Sequence, residues 1–145
     1  MSLNRSDRDP YNLERFVSAQ DRIYPQVVSE LRAGMKTSHW MWFVFPQIRG
    51  LGRSPVATEY AISSREEAVA YLHHPVLGPR LKECTRLVLD AESRSAEDIF
   101  GSPDDMKFRS SMTLFAEVSP DDDIFGRSLQ QYFDGAPDQL TLDRL

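Results

Sequence analysis

The feature that most constrains the fold is a run of apolar residues at helical spacing in the middle of the chain. These residues recur every three or four positions: Leu77, Leu81, Cys84, Leu87, Val88 and Ala91. Because an α-helix completes a turn in about 3.6 residues, this spacing places all of them on one face, which must pack against other elements. The pattern predicts a long amphipathic helix from Leu77 onward.

Helical periodicity recurs on both sides of this segment, and no segment alternates between apolar and polar residues as a half-buried strand does. The patterns predict one helix that begins at Asn12, a second that ends at Gly34 and a third that begins at the Ser64-to-Glu67 capping box. They also predict a helix from Pro103 to Glu117 and a last helix that ends at Gly135. We therefore predict an all-α fold in a single compact multi-helix domain that spans residues 1–145. Residues 1–10 are charged, and we expect them to be flexible.

An irregular, aromatic-rich segment near residues 38–55 interrupts these helices. It holds an apolar block from Trp40 to Phe45, followed by prolines and glycines. Periodicity alone does not separate a short buried strand from a buried helical turn here. We favour one or two irregular helical turns followed by a long loop.

Composition excludes several classes of function. The net charge of −5, from 22 acidic and 17 basic residues, argues against general nucleic-acid binding, which needs an excess of lysine and arginine. The single cysteine, Cys84, forms no internal disulfide, and its apolar neighbours indicate a buried residue. His73 and His74 are adjacent and do not share a helical face, so we expect no metal site and no cofactor.

The polar N-terminus and the short apolar runs indicate a cytoplasmic protein with no membrane partner. The sequence gives no indication of its oligomeric state.

The first candidate for a functional site is the segment from Ser38 to Gln47. It concentrates Trp40, Trp42, His39 and Gln47 with two phenylalanines. Such a set is typical of an aromatic wall on which a planar ring stacks, with the histidine or the glutamine binding the edge of the ring. The pKa of a histidine near neutrality also allows His39 to act as an acid or base. The alternative is an aromatic core in which His39 bonds to the backbone.

The second candidate is the loop Arg49-Gly50-Leu51-Gly52-Arg53-Ser54-Pro55. Its two glycines allow positive φ, and Arg53 and Ser54 supply a guanidinium and a hydroxyl, as in loops that hold a phosphate or carboxylate. The loop lacks the lysine of a phosphate-binding P-loop. An ordinary solvated loop is the alternative.

The third candidate lies on the helix predicted after Pro103. Lys107, Ser110 and Ser111 share one face by the spacing of three and four residues. Two serines in the middle of a helix are a poor choice for stability, because their hydroxyls compete for backbone hydrogen bonds. They mark either a binding site or close packing between helices.

These segments and several others resemble one uncharacterised bacterial family, known as domain of unknown function eighteen-ten and sometimes labelled calpastatin-like. The matching motifs are Ser38 to Phe43 with Phe45 to Gln47, Leu51-Gly52 with Ser54, His74 to Gly78 with Arg80-Leu81, Asp98 to Gly101, and Asp105 to Phe115. The resemblance covers nearly the whole chain and implies a mainly α-helical fold, but no catalytic role. We reject the calpastatin label, because such an inhibitor is a long, flexible and repeat-bearing chain.

Two functional hypotheses follow from these candidates, beside a third in which the motifs only shape the core. In the first, the protein binds an anionic, nucleotide-like or ADP-ribose-like small molecule, and whether it also turns the molecule over is left open. The roles in this hypothesis are stacking by Trp40 or Trp42, hydrogen bonding by Gln47, Ser54, Ser110 or Ser111, an anion clamp of Arg53 and Lys107, and acid/base chemistry by His39. In the second, the protein is a non-enzymatic interaction module whose aromatic hot spot is Trp40, Trp42 and Phe45.

Overall fold

A computed structural model describes residues 8–145. From Glu14 onward the chain forms ten helices: α1 (Glu14–Asp21), α2 (Tyr24–Arg32), α3 (Met41–Val44), α4 (Pro55–Glu59), α5 (Arg65–His73), α6 (Leu77–Asp90), α7 (Ala96–Phe100), α8 (Asp104–Val118), α9 (Ile124–Phe133) and α10 (Gln139–Leu142). Between residues 8 and 145 there is no β-strand, and the all-α prediction is confirmed. None of these helices is both long and apolar enough to cross a membrane.

The predicted flexible stretch, residues 1–10, falls mainly outside the described residues, which begin at residue 8. Asp9 lies within them and caps α1. Its carboxylate accepts hydrogen bonds from the backbone N–H groups of Leu13, at 2.7 Å, and Glu14, at 3.0 Å.

Most helix ends agree with the chemistry of the residues around them. Gly34 takes a φ of 72° just after α2, as a C-terminal stop requires. The Ser64 hydroxyl caps α5 by accepting from the N–H of Glu67 at 3.1 Å. The predicted box is nevertheless incomplete, because the Glu67 carboxylate binds the N–H of Ser63 instead of that of Ser64. A complete capping box begins instead at Ser95, at the start of α7.

The loop expected after the irregular turns contains a helix that was not predicted. The predicted helical turn is α3, but the expected long loop includes α4, which the Ser54 hydroxyl caps by accepting from the N–H of Ala57 at 3.1 Å. The nearby glycines and prolines concealed this helix, although proline suits a first helical turn. Backbone hydrogen bonds between Ile62 and the 47–49 segment, each 2.8 Å long, close the loop at its base.

The core is built around α6 and α8, the two longest helices. α6 packs against α2, α5 and α9, and α8 packs against α5, α7, α9 and α10. Aromatic rings join these layers: the rings of Phe45 and Phe108 meet edge to face at 5.1 Å, and those of Phe100 and Phe108 stack at 4.8 Å. All three side chains are buried. Such pairs add to the stability that burial of their apolar area provides.

A buried carboxylate orders the chain between α2 and α3. Oε1 of Glu30 accepts hydrogen bonds from the N–H groups of Thr37 and Ser38 and, at 2.9 Å, from the indole N–H of Trp40. Oε2 accepts from Gln26 and from the Ser38 hydroxyl. Burial alone would raise the pKa of Glu30, but these hydrogen bonds outweigh it and hold the pKa at about 2.

We expect Glu30→Gln to destabilise the protein by an amount that shrinks at low pH. The folded pKa of Glu30 lies below the usual value of 4.5, so its ionisation adds stability that is fully present above that pH and is lost as the pH falls toward 2. The free energy of unfolding should drop by about 3 kcal/mol near neutrality. Urea unfolding at about pH 7 and about pH 3 measures the difference. Exposed Glu92→Gln is the control, and a loss from Glu30→Gln independent of pH would contradict the prediction.

Two glycines on helices should respond in opposite ways to alanine. A Cβ on Gly78 would lie 2.1 Å from the backbone oxygen of Leu72, whereas a Cβ on Gly126 would meet no atom of the described chain within 4 Å. Gly78→Ala should therefore cost about 1–3 kcal/mol or more through overpacking. Gly126→Ala should stabilise the protein by up to about 1 kcal/mol through its helix propensity. Denaturant unfolding compares the two, and a shared sign would refute this packing argument.

Candidate functional site

One cleft of about 500 Å³ brings together residues from three distant parts of the chain. It lies between the 42–57 segment, the first half of α8 and the start of α10. Its lining contains six of the residues predicted from the sequence: Trp42, Gln47, Arg53, Ser54, Lys107 and Ser110. The remaining lining residues are Leu51, Gly52, Ala57, Pro103, Met106, Asp138 and Leu140.

Trp42 supplies the aromatic part of the cleft. It lies on α3, and its side chain is half-buried. The ammonium group of Lys107 lies 4.8 Å from the centroid of the indole ring, within the range of a cation–π interaction. This contact joins α3 to α8 and places an aromatic face beside a positive charge.

The glycine-rich loop forms one wall of the cleft, but its glycines serve packing. Gly50 takes a φ of 95°, as predicted. Gly52 does not take positive φ; instead, a Cβ there would lie 2.7 Å from the Cβ of Ala57 on α4. The loop therefore needs glycine at position 52 so that it can approach α4 closely.

The two cations of the cleft keep charge that the protein does not neutralise. Arg53 is exposed, and within residues 8–145 its side chain has no ion pair or hydrogen bond. Lys107 contacts Asp104 at 3.3 Å, but the other oxygen of that carboxylate binds the buried Lys36 at 2.8 Å. Two ammonium groups thus share one carboxylate, which leaves a net positive charge beside Trp42.

Asp138 is the polar lining residue that the sequence did not predict. Its Oδ2 accepts hydrogen bonds from the Ser110 hydroxyl at 3.0 Å, from the Thr141 hydroxyl at 2.6 Å and from the Thr141 N–H at 3.2 Å. Asp138 thereby caps α10 and ties it to α8. The sequence carried one signal, since aspartate is a preferred N-cap residue at a helix start.

Three predicted residues lie away from the cleft. His39 is exposed and is not among the lining residues. Trp40 is fully buried and donates its indole N–H to Glu30. Ser111 is also fully buried, and its Oγ has no hydrogen-bond partner among the described residues. Adjacent helical residues diverge by about 100°, so Ser110 faces the cleft while Ser111 faces the core.

A second cavity of about 470 Å³ lies beside α1 and is lined by Arg15, Arg22, Phe43, Tyr60 and others. One of its two arginines, Arg15, is committed to the fold, and none of the predicted site residues lines this cavity. The Arg15 guanidinium donates to the backbone carbonyls of Tyr11, Asn12, Glu59 and Ala61 and to the buried carboxylate of Glu67. We therefore regard the first cleft as the better candidate for a binding site.

The remaining reactive side chains form no separate centre. Within residues 8–145, no group of three or more His, Cys, Asp or Glu residues is placed to hold a metal ion. Cys84 is buried, and burial raises the pKa of its thiol to about 12. A thiol with that pKa stays protonated at neutral pH and is a poor nucleophile.

Comparison with known proteins agrees with the motifs. The sequence profile of the family described as Protein of unknown function (DUF1810) matches residues 10–145. The crystal structure of the conserved hypothetical protein Rv1873 from Mycobacterium tuberculosis is similar to this fold, with 57% sequence identity and a TM-score of 0.93. That match covers 94% of this chain and 98% of the other. None of the curated protein sequences matches.

The resemblance predicted from the motifs is confirmed: the chain belongs to the family described as Protein of unknown function (DUF1810).

Proposed function

We propose that the cleft binds an anionic small molecule that carries a planar ring, such as a nucleotide or an ADP-ribose-like compound. The observation that carries this proposal is convergence. Six side chains chosen for their chemistry, from three separate sequence motifs, line one cleft of about 500 Å³. Ligand sites commonly have volumes of roughly 300–1,000 Å³ and combine apolar walls with a few polar groups.

Each part of the cleft has a role in this proposal. The anionic group binds between Arg53 and Lys107. Arg53 has no ion pair within the described chain, and Lys107 shares the carboxylate of Asp104 with Lys36. The planar ring packs against Trp42, and Gln47 bonds to its edge. The Ser54 hydroxyl supplies a further hydrogen bond, and the Ser110 hydroxyl, whose proton goes to Asp138, can accept one. Met106 and Leu140, which are 44% and 61% exposed, line the same cleft and cover the apolar part of the ligand.

We propose binding only, without turnover. His39 lies outside the cleft lining, so we assign no acid/base step to it.

We also propose a cytoplasmic location, where nucleotide-like molecules are made and used.

The alternative, an interaction module with an aromatic hot spot, has less support. Two of the three aromatic side chains proposed for that surface, Trp40 and Phe45, are fully buried. Hot-spot residues act through contact with a partner, which buried side chains cannot make. The remaining one, Trp42, is half-buried in the cleft.

A thermal-shift screen against ADP-ribose, NAD, ADP, sugar phosphates and simple anions tests the anion clamp. A ligand at about 100 times its dissociation constant should add about 2.7 kcal/mol of stability, which corresponds to several degrees for a chain of this size. We expect Arg53→Ala and Lys107→Ala each to reduce that shift, because each removes a charge-assisted hydrogen bond.

Arg49→Ala is the matched control for Arg53→Ala. Arg49 belongs to the same loop and is exposed, but it does not line the cleft. Its removal should leave the shift unchanged. A shift that falls equally in the Arg49 and Arg53 variants would indicate general charge attraction, and no shift with any compound would count against the proposal.

Tryptophan fluorescence gives an independent test. The chain has two tryptophans; Trp42 lines the cleft, while Trp40 is buried and hydrogen-bonded to Glu30. Binding of ADP-ribose should change the emission of the wild-type protein. In Trp42→Phe that change should vanish while the emission of Trp40 remains. An undiminished change in this variant would place the ligand elsewhere.

A further inference from the structure

We infer that Asp138 recognises a sugar hydroxyl of the ligand, so that the cleft selects ribose-bearing anions over bare anions and over their deoxy forms. This inference rests on the proposed function, since it concerns a ligand in the same cleft. Asp138 belongs to none of the predicted motifs. Its proposed role adds a sugar hydroxyl to the planar ring and the anionic group that the ligand carries.

The Asp138 carboxylate is held in a fixed position. Helix α8 holds the segment before Asp138, because the Arg109 guanidinium donates to the carbonyls of Ala136 and Pro137, each at 2.9 Å. The Asp138 N–H donates to the Thr113 hydroxyl at 2.8 Å. Side chains on successive turns of one helix therefore fix both the backbone and, through Ser110, the carboxylate of Asp138. A group fixed before binding loses little entropy when a ligand arrives.

Only one oxygen of this carboxylate, Oδ2, is used by the fold. Oδ2 accepts all three hydrogen bonds that cap α10 and join it to Ser110. Oδ1 accepts none from the described residues, and Asp138 lines the cleft. An ionised carboxylate has lone pairs on both oxygens and no proton to donate. The carboxylate therefore keeps one acceptor that the fold does not use and that a donor on a ligand can satisfy.

The negative charge of Asp138 also affects which ligand fits. Arg53 and Lys107 attract a simple anion such as phosphate, but the Asp138 carboxylate repels it. The same carboxylate becomes favourable when the ligand also carries a hydroxyl that donates to it. Carboxylates bind ribose hydroxyls in this way in dinucleotide-binding proteins. A ligand with a ring, an anion and a sugar thus satisfies Trp42, Arg53 with Lys107, and Asp138 together.

The test compares three probes by isothermal titration calorimetry: ADP, which carries all three groups, 2′,3′-dideoxy-ADP, which lacks the ribose hydroxyls, and pyrophosphate. A hydrogen bond to a charged group changes affinity by roughly tenfold or more. We expect wild-type protein to bind ADP at least about tenfold more tightly than the dideoxy form. In Asp138→Ser the two nucleotides should bind within about twofold of each other, and pyrophosphate should bind equally well or more tightly.

Serine is the chosen replacement because it still caps a helix but is too short to present an oxygen at the Oδ1 position. Asp143→Ser is the matched control: it removes the same charge from the same end of the chain, and Asp143 is exposed and outside the cleft lining. It should keep the wild-type preference for ADP. The wild-type comparison needs no variant, so it tests the inference even if Asp138→Ser does not fold.

The outcomes separate the inference from the proposed function. If wild-type protein binds pyrophosphate and both nucleotides with equal affinity, the cleft binds anions but Asp138 does not select the sugar. If the preference for ADP survives in Asp138→Ser, another residue reads the hydroxyls and the inference is wrong. If none of the three probes binds, the proposed function fails together with the inference.

Discussion

The geometry of the aromatic segment depends on one buried carboxylate. Glu30 accepts hydrogen bonds from the 37–38 backbone and from Trp40, in a stretch without a regular helix to pair these donors. Burying an ionised group is costly unless it is fully hydrogen-bonded, and here the segment that it orders supplies the bonds. Trp40 is held in the core just before α3 begins, and Trp42 on α3 lines the cleft.

The same principle, polar groups that hold the backbone in place, shapes the other walls of the cleft. Arg109, Ser110 and Thr113 of α8 tie down the segment before α10. Ser54 caps the short helix that borders the glycine loop. These hydrogen bonds hold the backbone on two sides of the cavity. A ligand in the proposed site would therefore need little ordering of the protein.

Residue chemistry predicted six of the thirteen residues that line the cleft, but it did not separate them from core residues of the same motifs. Trp42, Arg53 and Lys107 are predicted because their types and neighbours suit an anionic, planar ligand. Trp40 and Ser111 are predicted from the same motifs, yet both are buried in the core. A motif specifies which chemistry is present, whereas the direction of each side chain depends on what packs behind it.

Apolar periodicity and capping residues predicted the all-α class and the main helices, because both act over a few positions along the chain, and the motifs predicted the family. Which side chains meet depends on the tertiary structure. Lys36 contacts Asp104, and Ser110 contacts Asp138, although each pair is distant in sequence. Such contacts depend on how α8 docks against the loop and the C-terminal segment. That docking follows from the shape of the packed core, which no local pattern records.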